Sequence, residues 1–175
     1  TDRMIKLIAS DLDGTLIGHD FRFRPRTLRA LEAARAAGIE IVFVTGRPSR
    51  WLTPLREQTD FDSYAICSNG AVVFHLGADE VEEINGADPQ VIARAHALLE
   101  PIFPSATYTL ETVDTVFIQG PHEGGEVLEG ARVVEMSIVE ALERIGSTPV
   151  IKYLIRVPGM DPDILQARVH QAVGS

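Results

Sequence analysis

Residues 5–15 read IKLIASDLDGT. Ile5–Ala9 is a short apolar run stopped by polar residues, which reads as a buried strand. An acidic pair two residues apart, Asp11 and Asp13, comes next, then Gly14 and Thr15. A glycine there lets the backbone turn sharply where a side chain would obstruct it. Working outward, PRTLRALEAARAAG begins at Pro25 and ends at Gly38, with its apolar positions on one helical face. Proline at the start and glycine past the end are the expected helix punctuation. IEIVFV, residues 39–44, is a near-continuous β-branched run of the kind found in parallel strands covered on both faces. TGRPS comes after it, and Pro48 opens a second predicted helix through about Gln58. Tyr64–Cys67 is a third short buried strand, stopped by SNG. Strand, helix, strand, helix, strand predicts a doubly wound α/β sheet with right-handed crossovers.

From Ala71 the rhythm changes. AVVFH and DEVEEI flank Gly77 and predict an antiparallel hairpin. Asp88-Pro89 caps a helix through about Glu100, and TYTLET and TVFIQG are strands separated by a turn near Asp114. HEGGEVLEG is a Gly- and Glu-rich loop, followed by a strand RVVEM, a helix over Ser137–Ile145, a strand in VIKYLIRV and a helix from Asp163. Turns rather than crossovers pair these later strands. The expected organisation is therefore a first domain over residues 1–82 and a separate α+β module over 83–175.

Composition narrows the function classes. The chain has 175 residues, 45% apolar and 23% charged, with 16 basic and 25 acidic side chains and a net charge of -9. A diffuse nucleic-acid surface is not expected, because the phosphate backbone would be repelled. No apolar run approaches the ~20 residues of a membrane span. The N-terminal residues lack the apolar length of a secretion signal, and Cys67 is alone, so the expected setting is soluble, reducing and cytoplasmic. Charge is uneven: residues 1–60 carry 10 basic and 8 acidic side chains, residues 61–175 carry 6 and 17. The first third is the part better suited to an anion. The five histidines show no close metal-ligand spacing, and no serine sits in a nucleophile elbow. Gly124-Gly125 lacks the strand–turn–helix context of a nucleotide fingerprint.

Ligands of doubly wound sheets gather at the carboxyl ends of the strands. That rule selects Asp11-Leu12-Asp13-Gly14-Thr15, then Thr45-Gly46-Arg47, then Ser68-Asn69-Gly70. Two adjacent carboxylates allow one to act as nucleophile or metal ligand while the other handles a proton. A threonine hydroxyl and backbone amides ahead of a helix suit a phosphate oxygen. Arg47 adds positive charge or pairs with a carboxylate, and Asn69 offers an amide or ties down its turn.

DLDGTL at 11–16, VTGR at 44–47 and SNGA at 68–71, in that order, resemble the haloacid dehalogenase-like superfamily, and more narrowly its Cof-type, type IIB capped phosphatases. The resemblance implies a Rossmann-like parallel core carrying an inserted α+β cap. It implies a Mg2+-dependent phosphomonoesterase acting on a small phosphorylated metabolite through an aspartyl-phosphate. Asp11 would be the nucleophile and Asp13 the general acid and base. Mg2+ would be held by Asp11 and by Asp13, and phosphate by Leu12, Asp13, Thr45, Gly46, Arg47 and Asn69. A phosphosugar mutase of the same capped type, or a phosphate- and Mg2+-binding module without turnover, are the rival readings. The family also uses a lysine and a second acidic motif beyond the cap. Lys6 lies in the first strand and Lys152 in a predicted cap strand, while Asp161 and Asp163 are placed to cap the last helix. The expectation is that this is the front part of a longer enzyme. Its first strand would then be left open along one edge, prone to association with another chain.

Overall fold

A computed structural model describes residues 5–122 and 130–174; most of the loop predicted at HEGGEVLEG, with Gly124-Gly125, lies outside them. The chain divides into two compact units, residues 1–85 and 86–175.

The first unit is built on a five-stranded sheet in sequence order: β1 (Leu7–Asp11), β2 (Glu40–Val44), β3 (Tyr64–Cys67), β4 (Val72–His75) and β5 (Glu80–Ile84). β1, β2 and β3 are parallel, and β3–β4 and β4–β5 are antiparallel. Helix α1 (Pro25–Ala36) makes the first crossover, with Pro25 at its first turn and Gly38 in the left-handed region just past its end. Leu12, Ile41, Phe43, Leu52, Leu55, Ala65 and Cys67 are buried in the core of this unit. Burial pushes the Cys67 thiol up to about 12, so it behaves as a small apolar side chain.

Two expectations need correction. The first strand runs Leu7–Asp11, not Ile5–Ala9: Ser10 and Asp11 join the ladder opposite Phe43 and Val44, because the parallel partner supplies hydrogen bonds whatever the side chains are. The second helix is not continuous. Ser49–Trp51 forms one 3-10 turn, and α2 (Thr53–Arg56) is a separate four-residue helix. Pro54 lacks the N–H that a continuing helix would need, and is tolerated only because it sits in a first turn. The expected hairpin β4–β5 adds to β3 antiparallel, so the sheet is parallel over β1–β3 and antiparallel beyond, and its ladder runs to Ile84. β1 has β2 on one side and no described strand on the other, and Ile5 and Leu7 are exposed there.

The second unit is a four-stranded sheet of order β8 (Arg132–Glu135), β7 (Thr115–Gln119), β6 (Thr107–Glu111), β9 (Lys152–Arg156). VIKYLIRV thus supplies β9, antiparallel to β6, and Lys152 sits across from Glu111. Helices α3 (Pro89–Leu99), α4 (Ile138–Ile145) and α5 (Pro162–Val173) complete it. Their starts are fixed by caps: Asp88 accepts from the Gln90 N–H, Ser137 and Glu140 form a capping box, and Asp161 accepts from the N–H groups of Asp163 and Ile164. Leu99, Phe103, Tyr108, Leu110, Phe117, Ile138 and Val150 form the core.

Polar groups are buried in this unit too, His96 and Glu111 the most deeply. His96 is 1% exposed, packed edge-on to Tyr108 at 4.8 Å between ring centroids, and its Nδ1 lies 2.8 Å from the Tyr153 hydroxyl. Nε2 makes no hydrogen bond, with Glu100 Oε2 3.7 Å away. Burial holds the imidazole below its ordinary 6.5, against the opposing pull of the Glu100 carboxylate. The unfolded chain therefore takes up a proton as pH falls through 6.5, while the folded chain takes it up only at lower pH. Stability is full above that pH and is lost below it. Unfolding by urea at pH 7.5 and 5.5 should show a stability drop in the wild type that exceeds the drop in His96→Gln by up to about 1.4 kcal/mol, the value of one pH unit for one group. Equal drops in the two proteins would remove His96 as the cause.

Candidate active site

The carboxyl ends of β1, β2 and β3 carry the three polar segments. Asp11 is the last residue of β1, in register with Val44, and Thr45 directly succeeds β2. Beyond Asp11 the chain curls tightly: the Leu12 carbonyl accepts from the N–H groups of Thr15, Leu16 and Ile17, and the Gly14 N–H donates to the Ile17 carbonyl at 3.0 Å. Gly14 has φ +72, which a side chain would strain. Leu12 itself is fully buried and anchors the turn from below. The curl carries Thr15 back over the strand end, where its hydroxyl donates to Asp11 Oδ2 at 3.0 Å.

Asp13 is held from the next strand. Arg47 Nε lies 2.9 and 2.8 Å from the two Asp13 oxygens, and its Nη2 lies 2.6 Å from Oδ1. This is a forked pairing of guanidinium with carboxylate, the strongest geometry available to the two groups. The guanidinium is also flanked by aromatic rings, 4.3 Å from the centroid of Phe21 and 5.2 Å from that of Trp51. Phe21 is brought there by a loop tied through Gln58, whose amide donates to the Phe21 carbonyl and whose Oε1 accepts the Phe23 N–H.

The β2 and β3 ends are laced together. Thr45 is buried; its N–H donates to the Ile66 carbonyl, its carbonyl accepts the Asn69 N–H, and its Oγ1 accepts the Arg47 N–H at 3.1 Å. The Ser68 N–H donates to the Arg47 carbonyl at 2.9 Å. Ser68, Asn69 and Gly70 all have positive φ, 51, 58 and 102°. The Asn69 side chain packs close over Gly46, where a Cβ would lie 2.8 Å from Asn69 Oδ1 and displace that amide. Asp11, Leu12 and Asp13 are thus linked through Arg47 to Thr45, Gly46 and Asn69 by an unbroken set of contacts.

Several contributors escape a reading of the sequence. Phe21 carries no motif signal of its own, and Thr15, though inside the first motif, is given no role by it. Trp51 is expected only to pack its helix on the sheet, yet its ring faces the Arg47 guanidinium. Ser68 is buried with its hydroxyl unpartnered, which marks it as a group short of a hydrogen-bonding partner. Of the basic residues after the first motif, Arg24 pairs with Asp20 at 3.1 Å in solvent, an ordinary surface contact.

The donors at the rim are hard oxygens. Asp11 keeps Oδ1 outside its bond to Thr15, and Asp13 has its backbone carbonyl. One or two protein oxygens, completed by water and substrate phosphate, are what Mg2+ ordinarily takes. The residues therefore fit that ion.

Three parallel strands with an acidic turn after the first, and a threonine and an asparagine turn after the next two, define a Rossmann-like α/β fold with its polar segments at the strand ends. The chain belongs to the haloacid dehalogenase-like hydrolase family, whose model matches residues 8–174. It is 33% identical over 123 residues to the pyridoxal phosphate phosphatase YbhA of Escherichia coli (strain K12), which covers 70% of this chain and 44% of that protein. It is 27% identical to a putative phosphatase of Streptococcus pyogenes serotype M6, covering 95% of this chain and 62% of the relative. Among solved structures, a haloacid dehalogenase-like hydrolase from B. subtilis superposes with a TM-score of 0.74 at 21% identity, over 98% of this chain and 67% of that one. The subclass IIB sugar phosphatase BT4131 gives 0.70 at 23% identity, over 96% and 63%. The chain thus spans between 44% and 67% of the length of these proteins. Among the described residues no helix is long and apolar enough to cross a membrane.

Proposed function

We propose that this chain carries the nucleophile and the general acid of a phosphomonoesterase for small phosphorylated metabolites. The observation that supports it most is the tight turn that sets Asp13 two residues beyond Asp11 at the end of β1, with the Leu12 carbonyl accepting from Thr15, Leu16 and Ile17. Arg47 pairs with Asp13 here and must release it before Asp13 can hold the proton it donates. In this reading Asp11 attacks phosphorus, the bond from phosphorus to the leaving oxygen breaks, and Asp13 gives that oxygen its proton. Water then attacks the aspartyl-phosphate, Asp13 takes a proton back, and phosphate leaves with Asp11 restored. The Thr45 hydroxyl, Asn69 and the amides of Leu12, Asp13 and Gly46 bind phosphoryl oxygens. Arg47 supplies positive charge to the same anion once substrate competes with Asp13 for it. Mg2+, held by the Asp11 carboxylate and the Asp13 carbonyl, would offset the charge of two anions brought together.

Relatives named for pyridoxal phosphate, for HMP-PP and for sugar phosphates support a small phosphorylated metabolite as substrate class. The test is hydrolysis of p-nitrophenyl phosphate and a panel of such metabolites by the full-length protein with Mg2+. Release of inorganic phosphate that stops on adding excess chelator and returns with Mg2+ is the expected result. Hydrolysis unaffected by chelator would sink the metal assignment, and phosphate transfer between sugar positions without release would favour a mutase. Binding of Mg2+ and phosphate without any turnover would leave a binding module.

A further inference from the structure

Away from the rim, at the other end of β3 and β4, a second group of ligand-type side chains meets. Tyr64, the first residue of β3, lies opposite His75, the last of β4, and His75 lies opposite Glu80, the first of β5. The strand ends therefore bring His75, Glu80 and Glu82 together. One nitrogen of His75 and one oxygen from each glutamate all lie within 4.8 Å of one another.

The imidazole is oriented from outside that group. Its Nε2 is 2.6 Å from Asp62 Oδ1, and Tyr64 stacks on the ring at 4.7 Å with 18° between planes. An ionised carboxylate only accepts, so Nε2 is the donor to Asp62, and in the neutral ring that leaves Nδ1 as the acceptor. Nδ1 faces Glu82 Oε1 at 3.5 Å. A carboxylate that fixes one histidine nitrogen while the other points at further ligands is the usual support of a metal-bound histidine. Room for that carboxylate is made by Gly77, where a Cβ would collide with Asp62 Oδ1. The turn that carries Gly77 is itself pinned, since Arg56 Nε donates to the Leu76 carbonyl at 3.0 Å and Arg56 pairs with Asp79 at 2.6 Å.

We propose that His75, Glu80 and Glu82 bind a transition-metal dication of the Zn2+ type, with water completing the shell, at a site separate from the phosphoryl-transfer rim. Three acceptors facing one another call for a cation between them. A proton on Nδ1 answers only one contact, whereas a metal answers all three. The spacing suits zinc: ligands about 2.0–2.2 Å from a tetrahedral ion sit about 3.4 Å apart, against 3.5 Å for His75 Nδ1 and Glu82 Oε1. An imidazole nitrogen selects against Mg2+ and in favour of Zn2+ and its neighbours. Bound there, the ion would tie the edge strand β5 to β4 and, through Asp62, to the segment leading into β3.

Calorimetric titration of the metal-free full chain with Zn2+, in excess Mg2+ so that the oxygen-donor rim is already filled, tests this without any assay of activity. One equivalent of Zn2+ is expected in the wild type. It should be lost in His75→Ala and weakened at least tenfold in Glu82→Gln, and Asp62→Asn should weaken it 10–100-fold. No uptake by the wild type would overturn the proposal and leave a simple imidazolium flanked by carboxylates. Wild-type affinity in either His75→Ala or Glu82→Gln would also overturn it. If circular dichroism shows His75→Ala unfolded, Glu82→Gln decides, since Glu82 is exposed and its amide costs the fold little.

Discussion

Asp11→Asn is expected to lower turnover of a small phosphomonoester by several orders of magnitude in the full-length protein while leaving the fold intact. The asparagine has nearly the same shape, and its Oδ1 can still accept the Thr15 hydroxyl that Asp11 accepts now. The backbone ladder to Val44 does not involve the side chain. What disappears is the negative oxygen that attacks phosphorus, and with it one ligand for the cation. Losses confined to a step that only the transition state sees fall on kcat. The measurement is kcat beside the thermal unfolding midpoint: a collapse of the first with the second unmoved is the expected pair. Near-normal hydrolysis by the variant would show that no bond to Asp11 forms.

Asp13→Asn should be almost as damaging with a poor leaving group, and much less so with a good one. A positioned acid contributes about 10²–10⁴-fold to proton transfer. An alkoxide needs that proton in order to leave, whereas p-nitrophenolate does not. The expected pattern is a large loss on alkyl phosphates, and a smaller loss on p-nitrophenyl phosphate with phosphorylated Asp11 accumulating, because Asp13 no longer activates water. The amide also gives up one half of the charge-assisted fork to Arg47, though the neutral oxygen can still accept one N–H. An equal loss for both leaving groups would reduce Asp13 to a partner that positions Arg47.

Much of the first unit is legible in the sequence because short parallel strands announce themselves locally. Tyr64–Cys67 can be read to the residue: it is bounded by polar neighbours, and every side chain in it fits a pleated, covered surface. β1 reads two residues early, because a ladder formed with a partner 33 positions away overrides the polarity of Ser10 and Asp11. The second helix misleads for a different reason. Pro48 and Pro54 each permit a helical first turn and each forbid a helical interior, so a pattern that looks like one helix is two short turns. The caps at Asp88 and Asp161 are visible, since a cap is a contact with the next three residues, whereas Ser137 reads as the first helical residue and is in fact the cap. The motif residues of the rim are visible too, by strand-end position. The Arg47–Asp13 fork and the Asp62–His75 contact are not, because nothing local to either partner specifies the other.

The turn Ser68–Gly70 adds a thermodynamic consequence to its part in the rim. Two successive residues other than glycine sit in the left-handed region, at φ 51 and 58°. Each such residue costs about 1–2 kcal/mol relative to ordinary backbone, somewhat less for asparagine. The buried, unpartnered Ser68 hydroxyl adds about 1–3 kcal/mol of uncompensated desolvation. Glycine at either position would relieve the backbone load, and at Ser68 the hydroxyl load as well. The fold therefore carries at this one turn a debt comparable to a large share of a typical domain's net stability, sustained by the ladders on either side. Strain of this size concentrated where three strand ends converge identifies Ser68 and Asn69 as positions where side-chain chemistry, rather than ease of folding, sets the residue.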